Sequence, residues 1–217
     1  MMKTLKKSWS KTRSRKRAGA AVAVVSSLLV LGACIAPIKA QQDFKYGAVV
    51  SQEERSSWRL ASIFVEIPDG MQVSDEPTRR YPDPEKIVWY GDGPGQVKHQ
   101  VQDLVTSGVK GGTANALKGH KPVHILVRLR QFHAMTPRAR ISSLQLGVHE
   151  IMFDIEVRST DGELIVAEAN VNADLDAYSG AKAYEAEARG ETQRVRITRR
   201  IEEVISTWLN PDDSSRA

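Results

Sequence analysis

The sequence predicts an α+β fold, a two-layer sandwich of about four mostly antiparallel strands with two helices packed on one face, preceded by a signal peptide and a tether. Three observations predict it. Several segments alternate apolar and polar side chains with period two, as strands with one buried face do. Two longer segments repeat apolar residues at spacings of three and four, which gives a helix one apolar stripe. Once the leader is set aside, roughly 180 residues remain, enough for one domain with its own core. The predicted divisions are a leader at 1–33, a flexible tether at 34–57, a single domain at 58–210 and a disordered tail at 211–217.

The elements follow in order. From Trp58 to Ile67, Ile63, Val65 and Ile67 alternate with Phe64 and Glu66, and Pro68-Asp69-Gly70 ends the strand. Residues 71–94 form a long polar connection with Pro77, Pro82, Pro84 and Pro94, in which Ile87-Val88-Trp89-Tyr90 reads as a short strand or an aromatic plug. Gln96 to Leu117 reads as a helix, with Val97, Val101, Leu104, Val105 and Val109 on one face and Gly111-Gly112 and Gly119 weakening its end. Three strands follow. Val123, Ile125, Val127 and Leu129 form the apolar face of the first, and Ile151, Phe153, Ile155 and Val157 that of the second. Asp161-Gly162 supplies a two-residue hairpin turn. The returning strand places Ile165, Ala167, Ala169, Val171, Ala173 and Leu175 on one side. A helix from about Ala181 to Leu209 closes the chain, with Ile197, Ile201, Val204, Ile205 and Trp208 as its stripe, Gly190 as an interruption and Asn210-Pro211 as its stop.

The leader carries the most specific signal. Lys3, Lys6, Lys7, Lys11, Arg13, Arg15, Lys16 and Arg17 precede an uncharged run from Ala18 to Leu31, the pattern of a secretory signal. That run is shorter than the roughly 20 residues a membrane-spanning helix needs. Leu31-Gly32-Ala33-Cys34 then resembles a lipobox and contains the chain's one cysteine. The resemblance implies that Cys34 takes a lipid and becomes the mature N-terminus, while ordinary cleavage after Ala40 is the alternative. Acyl chains on one residue anchor stably, because each buried methylene contributes about 0.8 kcal/mol. Ile35, rather than Asp, follows the cysteine. Resemblance to known sorting signals therefore implies the outer membrane facing the periplasm; a signal-anchored inner-membrane or secreted periplasmic protein is the alternative.

Charge follows from the leader as well. The whole chain is +5, but removing the eight basic residues ahead of Cys34 leaves 23 basic and 26 acidic side chains, a net −3. Nucleic-acid binding thereby loses its compositional support. With Cys34 acylated no disulfide is available, and the domain relies on its apolar core.

Chemistry-bearing patterns are sparse. His133 and His149 lie at neighbouring strand ends, but no His-x-x-x-His, second cysteine or paired carboxylate supports a metal. Gly91-Asp92-Gly93-Pro94-Gly95 precedes a helix but lacks the Lys-Ser/Thr of a phosphate-binding loop. His133, Thr136 and Asp154 form a catalytic trio only on paper, and no Gly-x-Ser-x-Gly occurs. The sequence therefore predicts no catalytic residue, metal or cofactor. Arg128, Arg130, Arg138 and Arg140 cluster around Phe132-His133, either as a basic edge for anionic headgroups or as a solvated sheet face. Arg194, Arg196, Arg199 and Arg200 read as a solvated helix face. Tyr81, Trp89 and Tyr90 either present a binding surface or pin their loop to the sheet. The candidate partner-binding residues are Tyr81, Trp89, Tyr90, Arg138 and Arg140, and the attachment residue is Cys34.

The lipobox, Ile87-Val88-Trp89-Tyr90, residues 130–134 (Arg-Gln-Phe-His-Ala), Gly147-Val148-His149 and Glu187-Ala188-Arg189-Gly190 with Gln193-Arg194-Val195 together resemble an uncharacterised family of short alphaproteobacterial lipoproteins. The similarity spans about Trp58 to Leu209. That family has no assigned activity, so the resemblance implies location and fold. The element order also resembles that of other small envelope lipoproteins, including auxiliary lipoproteins of transport systems. The expectation is a lipid-anchored, non-enzymatic envelope protein that binds a protein partner in envelope assembly or transport. The alternative is a periplasmic module with a lipid or small ligand between helices and sheet.

Overall fold

Two long antiparallel strands, β4 (Lys121–His133) and β5 (Gly147–Ser159), form the middle of a mixed sheet, and each is flanked by two shorter strands. The computed structural model describes residues 50–74, 86–142 and 147–210, all within the compact unit Lys39–Ala217. On the free edge of β4 lie β1 (Trp58–Glu66), parallel to its first two thirds, and β3 (Lys86–Val88), parallel to its end, with β2 (Gln72–Val73) beyond β3. On the free edge of β5 lie β6 (Leu164–Asn172) and β7 (Leu175–Ala177), both antiparallel to it. Among the described residues the sheet thus has seven strands where the sequence predicts about four, and its β1–β4 pair is parallel. The extra strands are pieces of two or three residues, too short to show a period.

Two helices cover one face. Helix α2 (Val97–Thr113) follows β3 and leads into β4, and so lies in the long crossovers that the parallel pairs of β1 and β3 with β4 require. It buries Val101, Leu104, Val105 and Val109. Helix α5 (Gln193–Leu209) buries Ile197, Ile201, Ile205 and Leu209. Both stripes meet Val123, Ile125, Val127 and Leu129 of β4 and Ile151, Phe153, Ile155 and Val157 of β5, all fully buried in one core. The predicted closing helix is two: α4 (Gly180–Ala188) ends before Gly190, whose φ of +81° breaks the spiral, and Thr192 caps the start of α5 by accepting from the Val195 amide.

Bulges explain where the apolar alternation changes parity. In β1, a register shift between Leu60 and Ser62 moves the buried face from Trp58 and Leu60 to Ile63 and Val65. In β4, a shift between Leu129 and Gln131 moves it from odd residues to Phe132. In β6, Val166 and Val171 face the core opposite Val157 and Phe153, with Asn170 at φ +54° between them. Ala167, predicted to share the side of Val171, lies opposite Glu156 instead, and Val166 takes the core side in its place.

The last residues of the predicted tether belong to the fold. Helix α1 (Gln52–Ser56) is capped by Ser51, and Arg55 donates to the carbonyls of Trp208 (2.6 Å) and Leu209 (3.2 Å) at the end of α5. A guanidinium there satisfies carbonyls that the helix leaves unpaired. Helix α3 (Pro137–Arg140) interrupts the β4–β5 connection. Cys34, Tyr81 and the tail 211–217 lie outside the described residues.

Candidate interaction surface

The second face of the sheet, opposite α2 and α5, carries exposed Phe64, half-buried His124, Leu126, Arg128 and Arg158, and buried Asp154, Glu156 and Ala167, and its side chains can be read in rows across the paired strands. One row runs Ser62, His124 and Arg158; the next Phe64, Leu126, Glu156 and Ala167; the next Glu66, Arg128 and Asp154. Phe64 is 56% exposed, the aromatic member of a largely polar face. Its ring lies 6.1 Å from that of His124, which Ser62 holds through a 2.5 Å hydrogen bond to Nδ1.

The charges on this face are paired within it. Arg128 Nε donates to Glu66 (3.0 Å), Arg130 Nε to Asp154 (2.7 Å) and Arg158 Nε to Glu156 (2.7 Å). Asp154 also accepts from the Asn170 amide at 3.0 Å, so the ion pair braces the β6 bulge. The sequence suggests that Arg128 and Arg130 form a basic edge. Cross-strand register sets a carboxylate beside each, and the face is locally close to neutral. At its end, the turn after β1 meets the bulge of β4. There Pro68, Gly70, Met71, Leu129, Arg130, Gln131, Met152 and Asn170 line a hollow of about 420 Å³.

The histidines are not brought together. His133 pairs across the strands with Glu150, whose carboxylate lies 3.3 Å from its Nδ1 and 3.1 Å from Gln131 Nε2. His149, one residue before Glu150, points to the opposite face. It is fully buried, and neither ring nitrogen has a hydrogen-bond partner. Burial, and next the nearby Arg196 charge, push its pKa down to about 3, so the ring is neutral. Thr136 caps α3 through the Ala139 amide, and Asp154 is held by Arg130, so the paper trio with His133 is not assembled. No group of three potential metal ligands occurs among the described residues.

The loop aromatics divide. Trp89 is 3% exposed, meets Phe132 edge-on at 5.8 Å between centroids and donates to Asp92 at 3.2 Å. Its ring therefore pins the loop and is not offered to a partner. Tyr90 is partly buried. Arg138 is exposed, whereas Arg140 forms a two-pronged ion pair with Glu187 of α4 and lies 4.5 Å from the Tyr184 ring centroid. The Glu187 hydrogen bond, opposed by burial, raises the Arg140 pKa above its ordinary value. Sequence reasoning missed Phe64 as a surface feature. The available signal was a large aromatic on the polar side of an alternating strand.

The model of a family of unknown function, DUF6778, matches residues 58–217. The chain belongs to that family. No curated protein matches it. Among solved structures, the DUF6778 chain is similar to a Xanthomonas campestris protein of the DUF330 family, with 15% identity and a TM-score of 0.40 over 75% of this chain and 91% of that one. It is also similar to a Caulobacter crescentus protein described as a candidate lipoprotein, with 13% identity and a TM-score of 0.31 over 74% of this chain and 96% of that one. No helix among the described residues is long and apolar enough to cross a membrane.

Proposed function

We propose that the protein is a lipid-anchored envelope protein that binds a protein partner through the open face of its sheet and catalyses no reaction. Cys34 is the attachment residue, supported by its place at the end of a lipobox-like leader. With Ile35 after it, the anchor sits in the outer membrane and the domain faces the periplasm. The observation that carries the partner reading is the contrast between the two faces. One is sealed by α2 and α5; the other carries an exposed Phe64 beside Leu126, among charges already paired within the face. A partner laid there desolvates few unpaired charges and gains an aromatic anchor, the composition that interface centres favour. Arg138, exposed in α3 just beyond the end of β4, belongs to the rim.

The test combines anchoring with position-specific crosslinking. Cys34→Ser is expected to release the full chain from the membrane fraction; unchanged association overturns the lipid anchor. A photo-crosslinking side chain at position 64 is expected to give a discrete adduct in intact envelopes, while one at Lys110 gives none. Identical patterns at the two positions overturn the face assignment.

The second reading, a small-ligand module, is favoured by the hollow beside Met71 and Met152, with Arg130, Gln131 and Asn170 as its polar end. It lies on the open side of the sheet, because the space between sheet and helices is filled by the core. Mass spectrometry of gently extracted protein is expected to show a bound apolar molecule on this reading, and a bare chain counts against it.

A further inference from the structure

Beside β7, three arginines of α5 converge on a concavity of about 170 Å³ lined by Leu175, Arg196, Arg199, Arg200 and Glu203. Two of them are fixed by backbone carbonyls. Arg196 Nη2 donates to the Asp176 carbonyl and its guanidinium lies 3.3 Å from the Tyr178 ring centroid. Arg200 Nε donates to the Asp174 carbonyl at 3.1 Å. The Asp174 carboxylate is engaged elsewhere, accepting from the Ile151 amide (2.7 Å) and Asn172 Nδ2 (2.9 Å). Arg199 is exposed and pairs with no described residue. Glu203, 3.6 Å from Arg200 Nη1, is the one carboxylate on the wall. Lys182 Nζ lies 4.0 Å from the centroid of the same Tyr178 ring.

The contrast with the rest of the domain is chemical. Arg128, Arg130, Arg140, Arg158 and Arg194 each have a carboxylate partner of their own. Here only Arg200 has a carboxylate in ion-pair contact, Glu203, while Arg196 meets those of Glu191 and Asp176 through space alone. Carbonyl tethers orient a guanidinium without cancelling its full charge, and fixed planar forks match the oxygens of a tetrahedral anion. The concavity is smaller than the roughly 300–1,000 Å³ typical of sites for drug-sized molecules. It therefore suits a headgroup-sized anion, with Leu175 contacting its carbon atoms. We infer that Arg196, Arg199 and Arg200 form a binding site for a phosphate group, carried either by a lipid headgroup or by a free phosphate. The mature chain's net −3 means that attraction to this site is local.

Isothermal titration of the mature full-length protein in neutral-detergent micelles and phosphate-free buffer tests this, with inorganic phosphate and a short-chain phosphatidylglycerol as probes. Saturable binding of at least one probe is expected, weakened about tenfold by Arg199→Gln and unchanged by Lys110→Gln, a change at an exposed cation of α2. Tighter binding of phosphatidylglycerol identifies a headgroup as the source; equal or tighter binding of inorganic phosphate identifies a free phosphate. Arg199→Gln removes no contact with a described residue, so circular dichroism should match that of the parent. No heat from either probe overturns the site. Equal losses in the Arg199 and Lys110 variants also overturn it, since they signal diffuse attraction between charges.

Discussion

A Cβ built on Gly112 of α2 would stand 2.6 Å from the Glu202 carbonyl oxygen of α5, and 2.7 Å from the Ile205 Cβ. At Gly108, one turn earlier, the same atom would meet the Ile201 Cβ at 2.7 Å and the Thr198 carbonyl oxygen at 2.9 Å. The two covering helices thus touch backbone to backbone along a strip of glycine. Gly112→Ala should destabilise the domain by about 1–3 kcal/mol, because overpacking outweighs the gain in helix propensity. Gly111→Ala would meet only the Glu202 side chain, which can swing away, and should be neutral or stabilising by up to about 1 kcal/mol. Urea unfolding of the two variants checks this, and an equal loss in both would refute the close-approach account.

His149 makes stability depend on acidity. Its folded pKa of about 3 lies below the ordinary 6.5, so between these values the unfolded chain binds a proton that the folded one does not. The contribution is complete above pH 6.5 and declines as pH falls toward 3, by about 1.4 kcal/mol per pH unit within that window. Because the ring nitrogens have no partner, His149→Leu leaves none stranded and should cost little at pH 7.5. Comparing the two proteins by urea unfolding from pH 7.5 to 5.0 should show a shallower decline in the variant. Parallel curves would sink the assignment.

Trp89→Ala should cost about 3–5 kcal/mol, the range for deleting a buried aromatic. Trp89→Phe keeps most of the packing against Phe132 and loses the bond to Asp92. It should therefore recover more than half of that loss. Thermal unfolding separates the outcomes; a stable Trp89→Ala protein would return this ring to the list of surface candidates.

The Arg140–Glu187 pair ties the β4–β5 connection to α4. Its side chains are only 22% and 32% exposed, so a double-mutant cycle with Arg140→Gln and Glu187→Gln should yield a coupling of about 1 kcal/mol. A coupling near zero would mean that the two-pronged geometry contributes nothing to holding α3.

Local pattern made part of the fold readable. The stripes of α2 and α5 and the buried faces of β4 and β5 follow from spacing alone, because each depends on a residue's neighbours along its own chain. The open-face row Phe64–Leu126–Glu156 was not readable, since it exists only once a register joins three strands. Gly111-Gly112 read as helix weakeners, yet Gly112 marks where a second helix lies against α2.

By itself the sequence determined the basic, then apolar run that ends at the single Cys34, the net −3 of the residues from Cys34 onward, and which faces of the longest elements are apolar. Tertiary structure decided the parallel β1–β4 pairing, the parity shifts at the bulges, the pairing of Arg128 and Arg130 with acids, and the burial of His149. The physical reason is range. Periodicity and composition act along a few residues of one chain, whereas pairing orientation, charge neutralisation and desolvation depend on which distant segment arrives alongside.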